Sequence, residues 1–150
     1  LVSGVGVLMN VVIEAGGIDL LTDAISSIMT PGTAIGIFAC VCGCMSWFSS
    51  TSGVVMPTLI PTIPGIIENL GTDSIPAIAF VCALCVGAPM AGLSPASSGG
   101  AAVMAALSNN GLEGEGANKT FVKIFGISVC SVVIAAVFCF SGLIWLVPGI

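Results

Sequence analysis

Two clusters of hydroxyl side chains carry the chemistry that this sequence offers. Residues 49–52 read Ser-Ser-Thr-Ser and precede Gly53, and residues 94–100 read Ser-Pro-Ala-Ser-Ser-Gly-Gly. Hydroxyl and carbonyl oxygens are ligands for hard cations, and the backbone N–H groups at a helix start attract anions. No residue that could act as a base accompanies the serines. The clusters therefore indicate a binding site for small ions rather than a catalytic centre.

Composition indicates that the solvent of this chain is lipid. Of 150 residues, 57% are hydrophobic and 6% are charged, and the net charge is −5. An ordinary soluble domain has about 25% charged residues. The mean hydropathy of +1.22 excludes a disordered chain, and the lack of a cationic face excludes a nucleic-acid-binding protein. We expect an integral membrane protein that contacts membrane lipid and no nucleic acid.

Charged residues are confined to short segments, which we interpret as membrane boundaries. Uncharged runs cover residues 24–67, 74–112 and 124–150. A bilayer-spanning helix needs about 20 apolar residues, so the first two runs are too long for one straight helix. The two hydroxyl clusters interrupt these runs. Because an unpaired backbone group in hydrocarbon costs several kcal/mol, each interruption must be buried in protein or line a wet cavity.

The predicted fold class is an all-α integral membrane protein with a re-entrant hairpin and discontinuous transmembrane helices. We expect a single membrane domain at residues 1–150. It would contain a hairpin or partial helix at 1–29, broken helices at 31–67 and 75–107, an aqueous loop at 108–119 and a last transmembrane helix at 120–147. Lys119 and Lys123 lie at the start of that last helix, and the positive-inside rule predicts that this end is in the cytoplasm.

The cysteines are interpreted as apolar packing residues. Cys40, Cys42 and Cys44 alternate along the chain, and Cys82 and Cys85 form a C-x-x-C pair. On a helix, Cys42 points away from the face that Cys40 and Cys44 share, so the three thiols cannot converge on one ion. Thiols in apolar surroundings are also unreactive. We expect no metal or redox centre at these residues.

The order of these features resembles the C-terminal part of the second repeat in the ion transporter superfamily. A glycine-containing hairpin is followed by a helix broken at a Ser/Thr motif, a helix broken at Ser-Pro and a plain last helix. The resemblance is to the divalent anion:sodium symporter family and to malonate/dicarboxylate carrier-like permeases. Residues 49–52 stand where that family has Ser-Asn-Thr, with Ser50 in place of Asn. Residues 94–98 stand at its Thr-Pro-Pro-Asn-Ala-like motif, with Ser97 or Ser98 in place of Asn.

This resemblance implies a secondary active transporter of a small organic anion, with a dicarboxylate as the expected substrate. Alternating access would be coupled to Na⁺ or H⁺, without a further cofactor and without enzymatic activity. The substrate-binding residues would be Ser49, Ser50, Thr51, Ser94, Pro95, Ser97 and Ser98. The Na⁺ ligands would be Ser50, Thr51, Gly53, Ala96 and Ser98.

Family members contain two inverted repeats around a central site, and this chain corresponds to most of one. The chain begins with Leu1 and has no basic segment before its first apolar stretch. We therefore expect a fragment without a signal peptide, whose partner is the missing N-terminal half of the transporter. The resemblance further implies a homo-oligomeric, multi-pass protein of the cell membrane.

Three other interpretations are open from the residues alone. The interruptions could be simple kinks in a non-transporting packing subunit of a larger complex. A channel would conduct without coupling, although the sequence has no repeated filter or ring of acids. An intramembrane enzyme is the least favoured, because neither interrupted run contains His, Asp or Glu.

Overall fold

The computed structural model describes residues 2–71, 75–111 and 113–142, and all regular structure in these ranges is helical. The all-α prediction is therefore confirmed. The helices are α1 (Val2–Glu14), α2 (Gly17–Ser27), α3 (Ala34–Phe48), a helix over Thr51–Leu70, α6 (Ala77–Ala91), α7 (Ser98–Asn109) and α8 (Gly114–Phe140). The 51–70 helix contains a π turn (Thr51–Val55), α4 (Met56–Leu59), a 3₁₀ turn (Ile60–Thr62) and α5 (Ile63–Leu70).

Two of these helices are long and apolar enough to cross a membrane. They are Thr51–Leu70, with 20 residues, and α8, with 27 residues. The exposed face of α8 is apolar and includes Val133, Ile134 and Val137, which suits contact with lipid. Helices α3 and α6 are equally apolar but have only 15 residues each.

The N-terminal segment forms two helices, and the second of them, α2, packs on α5. Helices α1 and α2 are joined at Gly16, whose φ of +72° suits glycine because it carries no Cβ. Asp23 and Ser26 of α2 both accept a hydrogen bond from the side-chain amide of Asn69, at 3.0 Å each. The structure has two short helices in this segment, and the re-entrant hairpin stays a prediction.

Helices α3, α6 and α8 form the packing centre of the molecule. Phe38 and Phe80 meet edge to face with ring centroids 5.3 Å apart. Gly43 and Gly87 let the backbones approach closely, since a Cβ on Gly87 would lie 2.5 Å from the carbonyl oxygen of Ala39. Small residues at such crossings allow the close backbone contact on which helix association in lipid depends.

The order of contacts gives the direction of these helices. Phe38 contacts Phe80, and the backbones of Gly43 and Gly87 meet further along. Helices α3 and α6 therefore run in the same direction and end side by side. Helix α8 runs the opposite way: Gly43 packs on Val132 and, further along α3, Trp47 packs on Phe125.

Several helix bounds differ from the predicted ones. The first broken helix begins at Ala34 and extends to Leu70, and its proline-rich part stays helical because π and 3₁₀ turns replace regular hydrogen bonding. The expected loop at 108–119 is short. Helix α7 continues to Asn109 and α8 already begins at Gly114, where an ion pair of 2.7 Å joins Glu115 to Lys119. Helix α8 ends at Phe140 rather than 147, and positions 143–147 lie outside the described residues.

The Phe38–Phe80 contact predicts a large effect on stability. Phe80 is wholly buried, so Phe80→Ala removes ring contacts and leaves a cavity that should lower the free energy of unfolding by about 3 kcal/mol. Phe48 is 73% exposed, and Phe48→Ala should change it by less than about 0.5 kcal/mol. Denaturant unfolding in detergent micelles, followed by circular dichroism, measures both. An equal decrease in the free energy of unfolding in the two variants would contradict the assignment of Phe80 to the core.

Candidate functional site

The two hydroxyl clusters lie where helices stop and new helices begin. Helix α3 ends at Phe48, and the extended residues Ser49 and Ser50 separate it from the helix that begins at Thr51. Helix α6 ends at Ala91, and residues 92–97 lead to the start of α7. Helical hydrogen bonding is thus interrupted at both positions.

Ser50 and Ser97 play the same structural part at the two helix starts. Each hydroxyl oxygen accepts a hydrogen bond from the amide three residues on, Gly53 N and Gly100 N respectively, at 3.2 Å in both cases. This is the usual N-cap arrangement, in which a serine satisfies one of the four amides that a helix start leaves unpaired. The amides of the two residues between each serine and its partner, at 51 and 52 and at 98 and 99, are not used by this cap.

Those available amides belong to residues that line one cavity. The cavity has a volume of about 210 Å³, and its wall is formed by Ser49, Ser50, Thr51, Ser52, Gly92, Ser97, Ser98 and Gly99. Among the described hydrogen bonds, none uses the amides of residues 51, 52, 98 or 99. Two helix N-termini, with their partial positive charge, therefore lie at a cavity that has no charged side chain in its wall.

Most hydroxyls of the cavity already have partners in the chain. Ser49 donates to the Met45 carbonyl at 2.6 Å. The Ser97 hydroxyl lies 2.8 Å from the carbonyl oxygen of Gly92 and 2.7 Å from that of Ser94, and its one proton is donated to one of them at a time. In the described part of the chain, the Ser98 hydroxyl has no hydrogen-bond partner and is exposed. A bonded hydroxyl that donates still has lone pairs for a cation.

Thr51 connects the two interruptions directly. Its hydroxyl donates to the Ala88 carbonyl of α6 at 3.3 Å and lies 2.6 Å from the hydroxyl of Ser46. Because a hydroxyl has a single proton, the bond to Ala88 makes Ser46 the donor to Thr51. Gly92 lies beside the same hydroxyl, since a Cβ there would be 3.5 Å from it.

The structure brings together most of the predicted site residues but not all of them. Ser49, Ser50, Thr51, Ser97 and Ser98 line the cavity.

Four other predicted residues do not line it. Ser94 and Pro95 are buried beneath the turn, and the Ser94 hydroxyl accepts a bond of 3.2 Å from the Ala96 amide. Gly53 uses its amide in the cap of Ser50, and Ala96 is exposed away from the cavity wall. These four residues therefore lie outside the cavity wall, and the roles of Ser94 and Pro95 in substrate binding and of Gly53 and Ala96 as Na⁺ ligands stay predictions.

Other residues of the site were not predicted. Ser52 and Gly99 lie within the two sequence clusters and Gly92 lies two positions before the second, so their proximity could have indicated them. Ser46 and Ser128 are wholly buried hydroxyls on α3 and α8. No signal in the sequence distinguishes them from serines that bond to their own helix.

The three alternating cysteines of α3 differ in burial. Cys42 is buried, Cys44 is exposed and Cys40 is between, and each is a free thiol. Within the described residues, no three His, Cys, Asp or Glu side chains are placed to share a metal ion.

Comparison with known proteins adds no relative. No protein-family model matches the chain, and no curated protein or solved structure matches it either. The described residues form an all-helical protein, and two of its helices are apolar enough to cross a membrane. Two interrupted helices share one polar cavity.

Two adjacent glycines provide a matched test of the second interruption. A Cβ on Gly100 would overlap the carbonyl oxygen of Ser94, whereas a Cβ on Gly99 would make ordinary contact, 3.5 Å from the Gly92 oxygen. Gly100→Ala should therefore lower the free energy of unfolding by about 1–3 kcal/mol. Gly99→Ala should leave it unchanged or raise it slightly, since alanine favours the helix. Thermal unfolding in detergent measures the difference, and similar midpoints would contradict the described turn.

Proposed function

We propose that the chain is part of a secondary active transporter of a small organic anion, with a dicarboxylate as the expected substrate and Na⁺ or H⁺ as the coupling ion. The observation that carries the proposal is the convergence of both helix interruptions on one cavity. Discontinuous helices that meet around a central site are a general feature of secondary transporters. The resemblance to divalent anion:sodium symporters and malonate/dicarboxylate carrier-like permeases supports the same class.

The lengths of α3 and α6 support a site inside the membrane. A helix of 15 residues is about 22 Å long, whereas the hydrocarbon core is about 30 Å thick. Helices α3 and α6 run side by side in one direction, so their ends lie at a similar depth. If both start at a membrane boundary, both interruptions fall within the hydrocarbon layer, in a multi-pass protein of the cell membrane. Non-helical backbone is tolerated within the hydrocarbon layer only where it is buried in protein or lines a wet cavity.

Anion binding is supported by the amides that face the cavity. Residues 51, 52, 98 and 99 have no hydrogen bond to their amides among those described. Each pair lies at the positive end of a helix, where anions are stabilised. The chain contains no Arg, so a carboxylate would be bound by these amides, the Ser98 hydroxyl and a co-bound cation. The volume of about 210 Å³ suits a small anion or one end of a longer one.

Cation coupling is supported by oxygen atoms at the same place. The hydroxyls of Ser49 and Thr51 donate to carbonyls, at 2.6 Å and 3.3 Å, and so keep lone pairs for Na⁺. In the proposed mechanism, alternating access exposes this site to each side of the membrane in turn. The second half of the site comes from the N-terminal half of the transporter, and the protein is expected to be a homo-oligomer without enzymatic activity.

A non-transporting packing subunit is the second candidate, and one observation favours it. Ser49, Ser97 and Thr51 all bond to carbonyl oxygens of the chain itself, as hydroxyls do at simple helix kinks. The two candidates differ in what the full-length protein does when reconstituted, because only a transporter accumulates solute.

Substitution of the cavity hydroxyls tests the transport proposal. Full-length protein in liposomes should take up radiolabelled succinate, and Thr51→Val and Ser98→Ala should each lower uptake about tenfold or more, since each removes a bond to a charged ligand. Ser108→Ala is the control, since Ser108 is exposed at the other end of α7, and should transport normally. Normal uptake by both cavity variants would refute the site, and no uptake of any dicarboxylate by the unmodified protein would favour the packing subunit.

Ion replacement identifies the coupling ion. Replacing external Na⁺ by choline at constant pH should abolish concentrative succinate uptake if Na⁺ is the coupling ion. A protonophore should abolish it if the ion is H⁺. Accumulation against a gradient that survives both treatments would contradict the proposal of secondary active transport.

A further inference from the structure

Ser128 makes an unusual contact between α8 and the end of α6. Its hydroxyl donates to the Ala91 carbonyl at 3.1 Å, across 37 positions of sequence, and Ser128 is wholly buried. Ala91 is the last residue of α6, directly before the second interruption. Among the described hydrogen bonds, no other side-chain bond joins α8 to another helix.

Serine in a helix usually bonds to its own backbone one turn earlier. Ser131, on the same helix, does so by donating to the Ile127 carbonyl at 2.9 Å. Ser128 instead crosses to a neighbouring helix, at a face of α8 whose other buried residues include Val132 and Ala135. The bond is therefore a specific link within an otherwise apolar contact.

The Ala91 carbonyl also begins the chain of bonds that shapes the second interruption. It accepts the Ser94 amide at 2.8 Å, and the Ser94 carbonyl accepts the Ser97 amide at 3.0 Å. Ser97 then caps α7 through the Gly100 amide. A constraint on the Ala91 carbonyl therefore passes through two short turns to the helix start that faces the cavity.

We infer that Ser128 is a positioning residue, through which the spanning helix α8 holds the second interruption and the amides of Ser98 and Gly99 in place. The identity of the ligand that those amides would bind rests on the proposed function. The positioning role of the Ser128–Ala91 hydrogen bond does not. A movement of α8 would pass to the cavity wall through this bond, and loss of the bond would free that wall.

Thiol labelling tests the link without a substrate. All seven cysteines are free thiols and five of them are at least partly exposed, so the full-length protein first has all seven replaced by alanine. Ser98→Cys is then introduced, and the protein in lipid nanodiscs is labelled with a water-soluble maleimide. Addition of Ser128→Ala should raise the labelling rate at position 98 about fivefold, as expected for the loss of one hydrogen bond.

The substitution should not unfold the protein. Ala91 keeps its bond from the Ser94 amide, so no buried carbonyl is left unpaired, and alanine is the residue that helices favour most. Circular dichroism and gel filtration of the variant should match those of the parent.

Two controls separate positioning from general loosening. Ser131→Ala, which removes only a bond within α8, should leave the labelling rate at position 98 unchanged. Ser52→Cys reports on the opposite wall, and its labelling rate should not change when Ser128→Ala is added. An unchanged rate at position 98, or equal increases at 52 and 98, or the same increase with Ser131→Ala, would each overturn the inference. Absence of succinate uptake by the unmodified protein refutes the transport proposal alone and does not alter the labelling result.

Discussion

A backbone amide or carbonyl that is removed from water must find a partner, and this requirement shapes the whole structure. Helices satisfy it along their length, so the exposed groups concentrate where α3 and α6 end. Hydroxyl side chains act at these points. Ser50 and Ser97 bond to amides at the helix starts, and Thr51 and Ser128 bond to carbonyls at the end of α6. The interruptions are therefore hydrogen-bonded turns. The backbone amides that have no partner in these turns belong to residues 51, 52, 98 and 99, which line the cavity.

The position of the cavity follows from close helix packing. Gly43 and Gly87 carry no side chain at the contact of α3 with α6, so the two helices pack with their backbones in direct contact. Because the two helices run in the same direction, their C-terminal ends lie together. The 51–70 helix and α7 then start from neighbouring points, and two helix N-termini share one space.

Convergence is the feature that distinguishes the proposed binding site from a pair of independent kinks. A kink needs only that its own backbone groups find partners. Here a hydroxyl of the first interruption bonds to the helix before the second, and residues of both interruptions line one cavity. Helix α8 adds a third element through Ser128, which lies against the end of α6. The cavity is thus lined by two segments that are distant in sequence, and α8 contacts the helix that leads to the second of them.

The sequence by itself determined the helical class, the apolar character and the location of both interruptions, because these depend on local composition: long runs without charge, broken by Ser, Gly and Pro. It could not determine which hydroxyls face the cavity. Ser94 is turned inward by a backbone crossing that Gly100 allows. Ser128 acts on a carbonyl 37 positions away. Only the tertiary structure decided these points, since the direction of a side chain at a break depends on the helices packed around it.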